Sequence, residues 1–324
     1  MKTYYLLRIA SVVVRFVPPR LAYWLCSLAG GILFMLNYKV RASVLDNVRH
    51  VLPKSSRRLK RILARKIIRN VFKNYYDVIR IPTMSPVGLE RTITVHGAEH
   101  LDNALKAGKG AILISGHMGN FSLVAQLAAA RNYNVSVVAE DIEPPILYDY
   151  VNKLRGHFGI KMLKMGSSEI RTIYKLLRNN EVLMLAVDRD VNDDGTPVPF
   201  FDAPADMPQG AVALALRTGA ALVPGYTMRL PDNTSVVIIE EPIQLERTGD
   251  REEDVRINMR KVAQTLEKYI LKAPDQWVVL QRIWDKDYTK DQGSGISDQN
   301  GHSSEQIPSE QKEQLPLSDQ TNAC

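Results

Sequence analysis

The sequence predicts an α/β fold: a mixed, largely parallel central sheet covered by helices on both faces, preceded by an apolar and basic helical region that associates with membranes. Three observations predict it. Beyond Pro86, apolar runs of strand length alternate with stretches rich in helix formers, the pattern of a sheet covered by helices. Before residue 92, eighteen Lys and Arg stand against Asp46, Asp77 and Glu90, a balance of +15 in a chain of net charge +7. Over 324 residues, 45% are hydrophobic and 24% charged. That is ordinary globular usage, which excludes a disordered, collagen-like or many-spanning membrane chain. The two cysteines, Cys26 and Cys324, support neither a disulfide framework nor a cysteine zinc cluster, and so imply a reducing compartment.

The first element is the uncharged run 21–38, LAYWLCSLAGGILFMLNY. Its length is at the lower edge of a bilayer span. Arg20, Lys39 and Arg41 flank it, and Tyr23, Trp24 and Tyr38 sit near its ends like interfacial aromatics. It spans a membrane, lies in its surface or is a buried core helix, and the membrane reading is preferred because residues 1–18 are also apolar and basic. Over 56–80, Leu59, Leu63, Ile67, Val71, Tyr75 and Ile79 recur every four residues, an apolar helical stripe. Arg57, Arg58, Lys60, Arg61, Arg65, Lys66, Arg69 and Lys73 surround it and fit anionic headgroups. Nucleic acid is the alternative partner, but no binding motif accompanies the charges. The domain reading is a basic membrane-associating region over 1–91, an α/β domain over 92–285 and a disordered acidic tail over 286–324.

In the α/β domain, strands are expected at 110–115, 135–139, 160–164, 182–187 and 221–226. Helices are expected at 121–130, 145–158, 169–178, 211–217 and 253–271. Strand GAILIS delivers the chain to Gly116-His117-Met118-Gly119-Asn120, where a helix begins. Active sites of such sheets lie beyond the strand carboxyl ends. There a neutral imidazole takes a proton from an alcohol, unless His117 merely packs. His96 and His100 are spaced i, i+4, but no further ligands cluster with them, so no metal is expected. Phe200 and Phe201, among Pro197, Pro199 and Pro204, line an apolar groove or belong to the core.

Five blocks in order, including HGAEHLDNAL, GKGAILISGHMGN, AVDRDVNDDG and PDQWVVLQRIW, resemble bacterial lysophospholipid-type acyltransferases. The branch is that of the lipid A lauroyl and phosphatidylinositol mannoside acyltransferases, and the resemblance covers roughly residues 96–284. It implies transfer of a fatty acyl chain from an acyl thioester to a lipid hydroxyl, with His117 as general base. It implies no cofactor: acyl-CoA or acyl carrier protein is a co-substrate. It also implies a glycolipid or phospholipid acceptor, an anionic membrane surface as partner rather than nucleic acid, and a catalytic domain on the cytoplasmic side of the bacterial inner membrane. The family motif places an acid five residues after the histidine, where this chain has Ser122. A carboxylate from elsewhere must then serve, and Asp188, Asp190, Glu140 and Asp141 all follow expected strands. The DRD block implies Asp188 as the catalytic partner of His117. The expected substrate-binding set is Asn120, Glu140, Arg155, Arg189 and Asp190, with Arg155 facing a phosphate or pantetheine-type donor. The competing reading is a lipid-binding homologue without catalysis, suggested by Ser122. Asp202 stands where the family commonly has glycine.

Overall fold

In the front end, α1 (Lys2–Val13) contributes no buried residue, whereas α2 (Pro19–Leu36), the uncharged run, packs along α4 (Arg57–Arg80). The structure, a computed structural model, describes residues 1–284, so the tail at 286–324 lies outside the described residues. Gly30 makes the packing of α2 on α4 possible: a Cβ there would lie 2.7 Å from the Arg69 Cα. Tyr23, Gly30 and Phe34 turn inward, while Trp24, Leu28, Ile32 and Met35 face outward. The helix α3 (Tyr38–Val51) lies against α4, and Asn37 and Ser56 cap the two helices by accepting from Val40 and Leu59 amides.

The buried face of α4 differs from the straight four-residue stripe. Leu63, Ile67, Ile68, Val71 and Val78 are buried, but Leu59 and Tyr75 are exposed. A spacing of four overshoots the helical repeat by about 40° per step, so the stripe winds off the contact at both ends.

The chain then enters the sheet through α5 (Pro86–Thr92), β1 (Ile93–His96), α6 (Ala98–Lys106), β2 (Ala111–Ser115), α7 (Phe121–Ala130) and β3 (Val135–Ala139). It continues through α8 (Pro145–Arg155), β4 (Lys161–Lys164), α9 (Ile170–Arg178) and β5 (Val182–Ala186). A separate antiparallel hairpin, β6 (Thr196–Phe200) and β7 (Ala203–Met207), precedes α10 (Gly210–Thr218), β8 (Ala221–Arg229), β9 (Ser235–Ile239) and α11 (Arg251–Lys272). The seven-stranded sheet has the order β1-β9-β8-β2-β5-β3-β4, and only β8–β9 is antiparallel.

Alternate residues of β2 explain the layers. Ile112 and Ile114 enter the core shared with α9, α10 and α11, whereas Ala111 and Leu113 enter the one shared with α5, α6, α7 and α8. Strands covered on both faces carry nearly continuous apolar runs, as AILIS does. The edge strand β1 and the hairpin lack this signal and fall outside the expected strands, as does β9, whereas the other edge strand, β4, falls on the strand expected at 160–164. In the hairpin turn, Phe201 and Asp202 have φ of 51° and 60°, a mirror-image turn that Asp accepts more readily than most residues. The family's usual glycine is thus not needed there. Phe200 is core rather than groove lining: it is fully buried and stacks on Trp284.

Candidate active site

The register of two strands builds the site. The neighbours β2 and β5 run parallel with Ser115 opposite Ala186, and the Val187 amide continues the ladder by donating to the Ser115 carbonyl at 2.9 Å. Two residues beyond those ends, His117 and Asp188 meet. His117 Nδ1 lies 2.7 Å from Asp188 Oδ1. The His117 backbone N–H donates to Oδ2 at 2.7 Å, and the Trp277 indole N–H donates to Oδ2 at 2.8 Å. Gly116 lets the carboxylate come this close, since a Cβ there would lie 3.2 Å from Oδ2.

Asp188 is fully buried, while the His117 side chain keeps 23% of its surface exposed. Burial by itself would raise the carboxyl pKa. The charge and hydrogen bonds of His117, with the Trp277 bond, outweigh it and hold Asp188 below the usual carboxylate range. An ionised acceptor at Oδ1 requires Nδ1 to be the protonated nitrogen. In the neutral ring, Nε2 then carries the free lone pair. The edge of Phe121 backs the imidazole at 5.3 Å between centroids.

The loop after His117 is held by the chain that follows α11. The His117 carbonyl accepts from the Val278 N–H, and the Gly119 N–H donates to the Gln276 carbonyl, both at 2.8 Å. Gly119 has φ +51°, and a Cβ there would fall 2.4 Å from the Thr227 carbonyl oxygen. No other residue fits without moving β8.

The other expected residues divide. Ser122, in the first turn of α7, makes no hydrogen bond to His117 among the described residues. Asn120 is buried rather than turned to a ligand. Its Nδ2 donates to Asp77 at 2.7 Å and its Oδ1 caps α7 by accepting from Leu123 N–H, so it anchors the loop. Asp190 is likewise taken up locally, accepting from the Asn192 and Gly195 amides in a turn. Glu140 and Arg189 pair with each other at 3.3 Å. The Arg155 Nε is buried without a hydrogen-bond partner, and no carboxylate pairs with the side chain among the described residues. Burial pushes this guanidinium below its usual pKa. Trp277, Asp77 and Arg229 are members of the site region that were not anticipated.

Residues 1–286 match the sequence model of the family described as bacterial lipid A biosynthesis acyltransferase. The chain belongs to that family. Among curated relatives, a phosphatidylinositol mannoside acyltransferase of Mycobacterium tuberculosis is 37% identical over 155 residues, 46% of this chain and 49% of that protein. Its counterpart from Mycolicibacterium smegmatis is 28% identical over 226 residues, 68% of this chain and 72% of that protein. The chain thus spans about half the length of the M. tuberculosis relative it matches. Family membership and fold agree with the resemblance drawn from the His117 and Asp188 blocks.

Proposed function

We propose that this protein is a membrane-surface O-acyltransferase. It moves a fatty acyl chain from an acyl thioester, acyl-CoA or acyl carrier protein, to a hydroxyl of a glycolipid or lysophospholipid. The observation that carries the reading is the bond from His117 Nδ1 to a buried carboxylate, which leaves Nε2 free beyond the carboxyl ends of the central strands β2 and β5.

Nε2 removes the proton of the acceptor hydroxyl as its oxygen attacks the thioester carbonyl. Asp188 stabilises the imidazolium that forms and keeps the ring oriented. The first-turn amides of α7 favour the negative charge developing on the carbonyl oxygen. The intermediate collapses, the carbon–sulfur bond breaks, and the thiolate takes the proton back from His117. An ester and a free thiol result. Arg155, a half-buried cation without a carboxylate partner among the described residues, suits a phosphate of the donor.

The names of the curated relatives suggest a glycolipid with a phosphorylated headgroup as acceptor. The outward apolar residues of α1 and α2, with the exposed arginines of α4, support seating on anionic phospholipid, and the inner membrane's cytoplasmic face suits the donors. Since α2 lies along the basic α4, seating in the surface is favoured over a span. The reading of a homologue without catalysis loses its support, because Asp188 supplies the carboxylate that Ser122 does not.

The test is thiol release from acyl-CoA with and without phosphatidylinositol mannoside in vesicles, with the lipid product weighed by mass spectrometry. Transfer is expected in the natural protein and absent from His117→Ala. A His117→Ala protein with undiminished transfer overturns the role of His117.

A further inference from the structure

The acyl-transfer chemistry leaves one buried cluster unexplained. Asp77 is the only acid in α4 and is fully buried. Its Oδ1 accepts from the Tyr23 hydroxyl at 2.6 Å and pairs with Arg80 Nε at 2.9 Å. Its Oδ2 accepts from Asn120 Nδ2 at 2.7 Å and from an Arg229 terminal nitrogen at 2.6 Å. One turn earlier on α4, Asn74 donates to the Gly119 carbonyl at 2.5 Å and accepts from Arg229 at 2.6 Å. Gln276, whose backbone holds the Gly119 amide, also accepts the Arg229 amide through Oε1 at 3.1 Å.

The cluster therefore joins three parts of the chain. Gly119 and Asn120 follow His117 by two and three residues. Asn74 and Asp77 belong to α4. Tyr23 belongs to α2, the uncharged helix whose outer face is apolar. The Tyr23 ring also lies against the cations, 5.4 Å from the Arg229 and 5.5 Å from the Arg80 guanidinium carbon, which covers the buried Arg229 nitrogens that lack hydrogen-bond partners.

We infer that Asp77 is a positioning residue, which fixes the loop carrying His117 and, through Tyr23, makes that placement depend on how α2 is seated on α4. The inference rests on the acyl-transfer reading and adds to it a link from the membrane-facing helix to the catalytic loop. Tyr23 serves as a stable donor in this link, because burial, then the adjacent carboxylate, push its phenol well above the usual range. A membrane that settles α2 thereby raises turnover, beyond concentrating the enzyme at its substrate.

Asp77→Asn strands the buried Arg229 without a counter-charge, so its failure to fold would be uninformative. The decisive variant is Tyr23→Phe, which removes one hydroxyl and keeps the ring on both guanidinium groups. The experiment compares kcat and KM for acyl-CoA in detergent and on phosphatidylglycerol-containing vesicles, beside thermal unfolding. The expected result is a kcat about 10- to 100-fold lower, an unchanged KM for acyl-CoA, and loss of the rise in kcat that vesicles give the natural protein. A merely structural hydroxyl would move the unfolding temperature and leave kcat and its vesicle response intact, which would overturn the inference. Should the natural protein transfer no acyl chain, the functional reading falls by itself. Amide hydrogen exchange at residues 117–120 then decides: faster exchange in Tyr23→Phe upholds the positioning role, and unchanged exchange refutes it.

Discussion

Replacing Asp188 by Asn perturbs the site at its most informative atom. The carboxylate receives one donor on Oδ1 and two on Oδ2. An Asn side chain satisfies the two neutral donors, the His117 amide and the Trp277 indole, by placing its carbonyl at the Oδ2 position. Its NH2 then faces Nδ1. Two donors cannot share that contact, so the imidazole shifts its proton to Nε2 and loses the lone pair needed for the acceptor hydroxyl. The same wrong-tautomer effect in a serine protease triad costs about four decades in kcat. We expect a loss of about 10³- to 10⁴-fold, or about 4–5.5 kcal/mol of transition-state stabilisation. Stability changes far less. One charge-assisted hydrogen bond worth about 1.5–3 kcal/mol is lost, and removal of a buried charge offsets part of it. The assay is steady-state acyl transfer to vesicle-embedded acceptor, with thermal unfolding as the control. A folded Asp188→Asn protein retaining more than about a tenth of the natural kcat would refute the reasoning.

Three further outcomes follow from the same geometry. Ser122→Asp should leave kcat within about twofold of the natural value, because a carboxylate already occupies the imidazole; a large gain in the transfer assay would show the dyad incomplete. Gly119→Ala should cost about 1–3 kcal/mol in urea unfolding through its positive φ and the clash with Thr227, and should lower turnover further by displacing the loop. Asp188 has a folded-state pKa below its unfolded one. Its contribution to stability is therefore complete above the ordinary carboxylate value of about 3.9 and is lost as pH falls through the folded value. Urea midpoints measured downward from about pH 5 should fall less steeply for Asp188→Asn than for the natural protein; equal slopes would contradict the depressed carboxyl.

The parts of this fold that were legible in the sequence are those whose burial leaves an unbroken apolar trace. AILIS, VSVVA and VLMLA pack on two faces and could be read directly. The edge strand β1, ITVH, and the proline-rich β6, TPVPF, carry no such trace and could not. His117 was legible because a strand ends beside it between glycines. Asp188 needed the family's DRD block to choose it over Glu140, Asp141 and Asp190, because choosing from the residues alone requires the register of β2 on β5. Trp277 lies in PDQWVVLQRIW, one of the blocks that carry the resemblance, yet its indole contact is made across 89 residues. Asp77 did leave a signal: a single acid in a 24-residue basic helix, close to the apolar stripe. Its three donors come from α2, the His117 loop and β8, its further ion pair from Arg80 of α4, and no local pattern announces them.

The central claim is that His117 presents an unprotonated Nε2 because Asp188 holds the proton on Nδ1. Nitrogen-15 NMR of the histidine side chains at alkaline pH, with His117 assigned by substitution, measures this directly. The account predicts a pyrrole-type Nδ1 bearing a proton deshielded by a short hydrogen bond, a pyridine-type Nε2, and exchange of these roles in Asp188→Asn. A natural protein whose neutral His117 carries its proton on Nε2 would contradict it.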